Sequence, residues 1–224
     1  HFAFGGVGEG ALTTDVHSPE VLAAVEGHIR QSIPYMAGAR PHQLLALPLF
    51  AVAQSYGMSS LFGYVLRRAE RRFRLEGMLG GRASGGEGGP GEALERYLES
   101  YGPGDFQDSM LSTEAQAAAA AQAHGLFGDI GQLKESLAQA LVGAAPGTEQ
   151  AELQRACARG DVATLTISAG DMRRLILEAA AFGALLNDAE SAAGGVYKLT
   201  PAKESNLEEF GVETDGEGHP RFPQ

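Results

Sequence analysis

Apolar residues recur at helical spacing in "HSPEVLAAVEGHIRQSI", where Val21, Leu22, Val25 and Ile29 fall on one side of a helix wound at its usual pitch. Ser18 can cap that helix and Pro19 suits its first position, so a helix starts here and "AGARP" ends it. The run "HQLLALPLFAVAQSYGMSSLFGYVLRRAERRFRLEGML" then predicts a short apolar extended stretch followed by a long amphipathic helix. Pro48 keeps the extended stretch from being a regular central strand, because proline donates no ladder hydrogen bond. Further along, "EALERYLESYG", "STEAQAAAAAQAHG", "DIGQLKESLAQALVG" and "TEQAELQRACARG" read as helices. In the second of these, Thr113 and Gln116 stand at capping-box spacing and Gly125 is placed to end it. "VATLTIS" changes the period to two and predicts a strand, "GDMRRLILEAAAFGALLNDAESAAGG" returns to helix, and "VYKLT" reads as a last short strand.

The pattern divides the chain. "GMLGGRASGGEGGPG" is so rich in glycine that it buries too little apolar surface to order itself, so residues 80–91 read as a linker. The expected organisation is a flexible end over 1–17, a first unit over 18–79, the linker, a second unit over 92–200 and an acidic disordered tail over 201–224. The tail carries Glu204, Glu208, Glu209, Glu213, Asp215 and Glu217.

Placing "FGYVLRRAE" (62–70) over "FGALLNDAE" (182–190) matches Phe, Gly, Leu, Ala and Glu without a gap, and extending upstream sets "VATLTIS" over "HQLLALP". Two degenerate copies of one unit is the reading this favours, and chance similarity between two alanine-rich helices is the alternative. The fold class expected is therefore α+β, predominantly α-helical, as two degenerate helical repeats each with a short strand, joined by the Gly-rich linker. "VATLTIS" is expected to pair with the extended segment near 43–50, since a lone strand leaves its backbone groups unmatched. The two long helices should then pack by their Phe and Leu stripes on one sheet face.

The long helix of the first unit carries Arg67, Arg68, Arg71, Arg72 and Arg74. At 100° per residue, Phe62, Leu66, Ala69 and Phe73 form a core-facing stripe, and the arginines lie opposite with Tyr64 and Leu75 among them. In the second copy Phe182, Leu186 and Ala189 keep the stripe, while Asn187 and Asp188 replace Arg67 and Arg68. Either these arginines meet acidic groups of the chain's own second half, such as Asp188 or Glu190, or they bind an outside anionic partner.

Composition narrows the classes of function. With 224 residues and 44% hydrophobic content the chain can form one large domain or two small ones, and the absence of tryptophan beside 31 glycines points to helices packed through small side chains. A net charge of -11 works against general affinity for nucleic acid or an anionic membrane surface. No run of about 18 apolar residues appears, so no transmembrane segment is expected. The single cysteine, Cys157, excludes an internal disulfide and fits a reducing interior, and it reads as a buried, inert thiol. The chain opens on histidine rather than methionine, so it reads as a processed product or fragment with any targeting peptide already outside it.

Candidate chemistry is sparse. "GGVGEG" follows no strand, and "GLFGDIGQLKES" lacks the Gly-Lys-Ser/Thr adjacency that sets a lysine on phosphate. The six histidines, His1, His17, His28, His42, His124 and His219, include no helical i, i+4 pair, so surface or capping roles are expected and no metal site. No cofactor is expected, nor a catalytic constellation.

"IRQSIPYMAGARP" and "FGYVLRRAERRFRLEGML" carry a resemblance to the plant and cyanobacterial family catalogued as domain of unknown function 760 (DUF760). The family pattern maps onto Arg30, Gln31, Met36, Gly38, Pro41, Gly63, Tyr64, Arg67, Ala69, Arg72, Leu75 and Glu76. "RYLESYGPGDFQDSMLSTEAQAAA" is similar to a later segment of some members, so the resemblance extends over about residues 18–200. The second copy departs from the pattern at Ala184 and Asn187, where Tyr and Arg would stand. The resemblance implies a nuclear-encoded protein of the chloroplast stroma without assigned activity, handled by the plastid chaperone and protease system.

Two functions are expected to compete. The first is a non-catalytic stromal interaction or regulatory protein, an adaptor or assembly factor, meeting a protein partner with an acidic surface through Tyr64, Arg67, Arg68, Arg71 and Arg72. The second is a small-molecule or pigment-binding protein, or minor enzyme, with a pocket between the two copies lined by Tyr64, Arg67 and the backbones of Gly63 and Gly183.

Overall fold

The computed structural model describes Val21, Ala24, Val25, Gly27 and His28, then residues 38–78, 111–145 and 147–194, with the side chains of residues 76 and 77 excepted. Among these, strand β1 (Leu44–Pro48) runs directly into helix α1 (Leu49–Met78). Helices α2 (Thr113–Phe127), α3 (Ile130–Ala140) and α4 (Glu149–Arg159) follow, and strand β2 (Thr164–Ser168) runs directly into α5 (Ala169–Ala193). The fold is α+β and mostly helical, with one small sheet. The expected ends 1–17 and 201–224, the linker 80–91, the helix in "EALERYLESYG" and the strand in "VYKLT" lie outside the described residues.

The two strands pair as expected. β1 and β2 are antiparallel, with Leu44 opposite Ser168, Ala46 opposite Thr166 and Pro48 opposite Thr164. Two hydrogen bonds close the ladder: Leu49 N donates to Ala163 O at 2.8 Å, and Ala169 N to Gln43 O at 2.9 Å. Pro48 is tolerated because it ends its strand, and a two-stranded sheet has only edge strands.

Helix boundaries follow local chemistry more closely than the sequence reading did. Ser112, not Thr113, caps α2, its Oγ accepting from Ala115 N at 2.9 Å. That helix runs past Gly125 to stop at Gly128, whose φ of 85° favours a residue without Cβ. The extra turn brings Phe127 edge-on to Tyr56, with ring centroids 5.6 Å apart. Ser168 caps α5 through Asp171 N, and Gly160 ends α4 in the left-handed conformation.

The core forms two connected clusters. In the first, Val21 and Val25 pack with Leu47, Val52, Leu66, Met172 and Ile176, and the half-buried Phe62 and Phe73 close against them. In the second, Phe50, Tyr56 and Leu61 meet Ala119, Ala123, Ile130 and Ala179. α1 is therefore covered on more than one side. Over Leu49–Leu75 this helix is long and apolar enough to cross a membrane, contrary to the expectation from sequence, but most of that window is buried inside the fold.

Candidate functional site

The site is set by how closely α1 and α5 cross. A methyl placed on Gly63 would fall on the backbone of Ala180, and one placed on Gly183 would fall on the backbone of Ser60. Glycine is required at both positions because the two helix backbones occupy the space a Cβ would need. The buried stripe of α5 is accordingly Met172, Ile176, Ala180, Gly183 and Asn187. Ala189, expected on that stripe, is exposed, and Phe182 and Leu186 are half-buried. The backbone at Gly63 lies against Ala180, and that at Gly183 against Ser60 and Tyr64.

One turn beyond this crossing lies a lattice of charges. Arg67 grips Asp188 with two parallel bonds, Nε to Oδ1 at 2.9 Å and Nη2 to Oδ2 at 3.0 Å. Its remaining Nη1 reaches Glu70 Oε2 at 2.9 Å. Arg71 Nη2 also donates to Asp188 Oδ1, at 2.7 Å, while its Nη1 donates to Ser191 Oγ. Arg74 Nη2 meets Glu70 Oε1 at 2.7 Å. The Glu70 side chain is only 3% exposed, so its charge depends on the two guanidiniums that flank it. Hydrogen bonding to Asp188 raises the Arg67 pKa further and outweighs burial.

Tyr64, placed among the arginines by helical angle, is buried instead. Its hydroxyl donates to Glu190 Oε2, and Ser112 Oγ donates to Glu190 Oε1, so one carboxylate ties α1, α5 and the cap of α2 together. Burial first, then the bond to Glu190 and its charge, push the Tyr64 pKa up to about 12. Of the arginines expected at a partner surface, Arg67 and Arg71 face the second half of the chain, and Arg68 and Arg72 are exposed. Arg68 has no ion pair among the described residues.

Of the family-motif residues, Gly38 adopts a φ of 80° in the turn before β1, Gly63 lies at the helix crossing, and Arg30 and Gln31 lie outside the described residues. The backbone of Glu76 is helical.

Sequence reasoning missed the parts Glu70, Ser112 and Ser191 play, and the one clue was the spacing of Glu70, three residues after Arg67 and four before Arg74 on the same helix. Asn187 is buried with no partner for its Oδ1 among the described residues. His28, expected at the surface or in a cap, instead stacks on Phe62 with ring centroids 4.1 Å apart, and its Nε2 lies 3.0 Å from Ser59 Oγ. Burial pushes its pKa down to about 4, so it packs as the neutral ring. Cys157 is half-buried.

Chemically, this arrangement pairs donors with acceptors across two helices. Among the described residues no group of three His, Cys, Asp or Glu side chains is placed to hold a metal ion. No curated protein and no solved structure matches the chain. Residues 10–79, which include the Arg-Gln and Gly-Tyr motifs, match the model of the family described as a protein of unknown function, DUF760.

Proposed function

We propose that this is a non-catalytic interaction or regulatory protein made of two diverged copies of one strand–helix unit, whose pairing builds a platform for a protein partner with an acidic surface. The observation that carries this reading is the division among the arginines of α1. Arg67 and Arg71 are held by Asp188, whereas Arg68 has no ion pair among the described residues and lies exposed on the same side as Leu75, itself 60% exposed. Positions 68, 72 and 75 are four and then three apart, which puts two guanidiniums and an apolar side chain on one helical face. An acidic amphipathic segment fits such a face.

The two-copy reading is supported by reciprocity in the contacts. The offset of 120 residues that aligns "FGYVLRRAE" with "FGALLNDAE" takes Ala46 to Thr166, the central pair of the ladder. It also converts the Leu49–Ala163 hydrogen bond into the Ala169–Gln43 bond, and the Gly63–Ala180 approach into the Gly183–Ser60 approach. Residues 80–91 join the copies in this reading. An adaptor or assembly role in the chloroplast stroma, with handling by the plastid chaperone and protease system, belongs to the same proposal and rests on the family resemblance.

The test is a double reversal, Arg68→Glu with Arg72→Glu, in a pull-down from stromal extract. The variant should keep its circular dichroism and melt within about 2 °C of the parent, because exposed charges contribute little stability. It should lose the acidic partner, and parent binding should weaken between about 0.05 and 0.5 M salt as surface attraction is screened. Binding indifferent to both reversal and salt would sink the proposal.

A further inference from the structure

We infer that Asp188 is the residue that makes the pairing of the two units one-way, so that a first unit accepts a second unit and rejects another first unit. The inference rests on the two-copy reading. The backbone interface is reciprocal in its strand register, its closing hydrogen bonds and its glycine crossing. A reciprocal backbone interface does not by itself distinguish a first unit paired with a second from two first units, from two chains, paired with each other. Side chains must supply the distinction.

The positions facing one another across α1 and α5 supply it. In the chain as it stands, Arg67 and Arg71 both meet Asp188, and Arg71 also meets Ser191. Under the offset of 120, a pairing of two first units would set Arg68 where Asp188 stands and Arg71 where Ser191 stands. Arginines would then face arginines, on both sides of the axis. A pairing of two second units would set Asn187 against Asp188 and leave that carboxylate without a cation. The Tyr64–Glu190 contact makes no such choice between first and second units, because Glu70 occupies the position equivalent to Glu190. Discrimination against like pairing therefore falls on Asp188, assisted by Ser191. The surface of the first unit around Gly63, Arg67 and Arg71 is in this sense an interface for a unit of the same kind bearing an acid at that position.

The full chain tests this with three variants, read by thermal melting and by light scattering over a concentration series. Asp188→Arg should lower the melting midpoint by about 5–10 °C, and adding Arg67→Glu should recover most of the loss. The triple variant Arg68→Asp, Arg71→Ser, Asp188→Arg gives the first unit the acid and serine of the second while spoiling the native pair. It should become a concentration-dependent dimer. An unchanged midpoint for Asp188→Arg overturns the one-way role while leaving the two-copy reading intact. If Asp188→Arg does not fold at all, failure of the added Arg67→Glu to restore folding overturns it equally. A triple variant that folds and stays monomeric at every concentration, after a successful swap, removes the equivalence of the two units and the inference with it.

Discussion

Glu190 collects hydroxyls from two other elements, Tyr64 on α1 and Ser112 at the start of α2, and its carboxylate is half-buried when it does so. Removing one donor leaves that oxygen short of a partner in a partly dry setting. Tyr64→Phe should therefore cost about 1–2 kcal/mol in chemical denaturation while leaving the helix crossing in place. The same tyrosine keeps its proton in the folded state up to about pH 12, against an ordinary value of 10.0. Its contribution to stability is present below pH 10 and is lost as pH rises from there toward 12, which ultraviolet titration of the phenolate can follow. His28 works in the opposite sense. Its folded pKa is lowered from 6.5 to about 4, so its contribution is present above pH 6.5 and lost as pH falls toward 4, where the unfolded chain takes up a proton that the folded one refuses. Denaturation at pH 7 and pH 4.5 should differ less in His28→Phe, which keeps an aromatic ring but cannot titrate, than in the parent.

Between elements, the decisive contact is α1 on α5. Sequence periodicity located the stripe of Phe62, Leu66, Ala69 and Phe73, and that stripe does meet the first core cluster. The closest approach to α5 runs beside that stripe, through Ser60, Gly63, Arg67 and Arg71, residues that no hydrophobicity pattern selects. They meet α5 because small side chains let two backbones approach and because the charges beyond them are paired. Gly63→Ala and Gly183→Ala should each destabilise by more than about 3 kcal/mol, since the new methyl meets backbone rather than a side chain that can turn away. Gly125→Ala is the contrast. A methyl there meets nothing within 4 Å, so that change inside α2 should be neutral or stabilising by about 0.5–1 kcal/mol.

For the whole molecule, the two halves of the described chain are held by a shared sheet, a shared core and the arginine–carboxylate lattice. A protease cut within residues 80–91 should therefore leave fragments that co-elute as one species under native conditions. They should separate only in denaturant, which size-exclusion chromatography with intact-mass analysis would record. Fragments that part in buffer would show that the contacts from 44–78 to 164–193 do not suffice to hold the halves.

Among the described residues, the sequence by itself determined the main elements and the pairing of the two strands. Helices announce themselves through apolar spacing and through caps such as Asp129, Ser168 and Gly160, all of which act within a few residues. "VATLTIS" was expected to pair with the extended segment near 43–50, and the structure joins the two. The Arg67–Asp188 contact was one of two open alternatives, because an arginine arc on a helix reads alike whether carboxylates of the same chain or of another meet it. Only the tertiary structure decided between them for Arg67 and Arg71, and it buried Tyr64 and Glu70 and half-buried His28 against their polarity. The physical reason is range. Capping and periodicity are fixed by neighbours in the chain, whereas the Tyr64 hydroxyl and the Arg67 and Arg71 guanidiniums depend on partners about 120 residues away, whose approach is permitted by two glycines that carry no hydrophobic signal of their own.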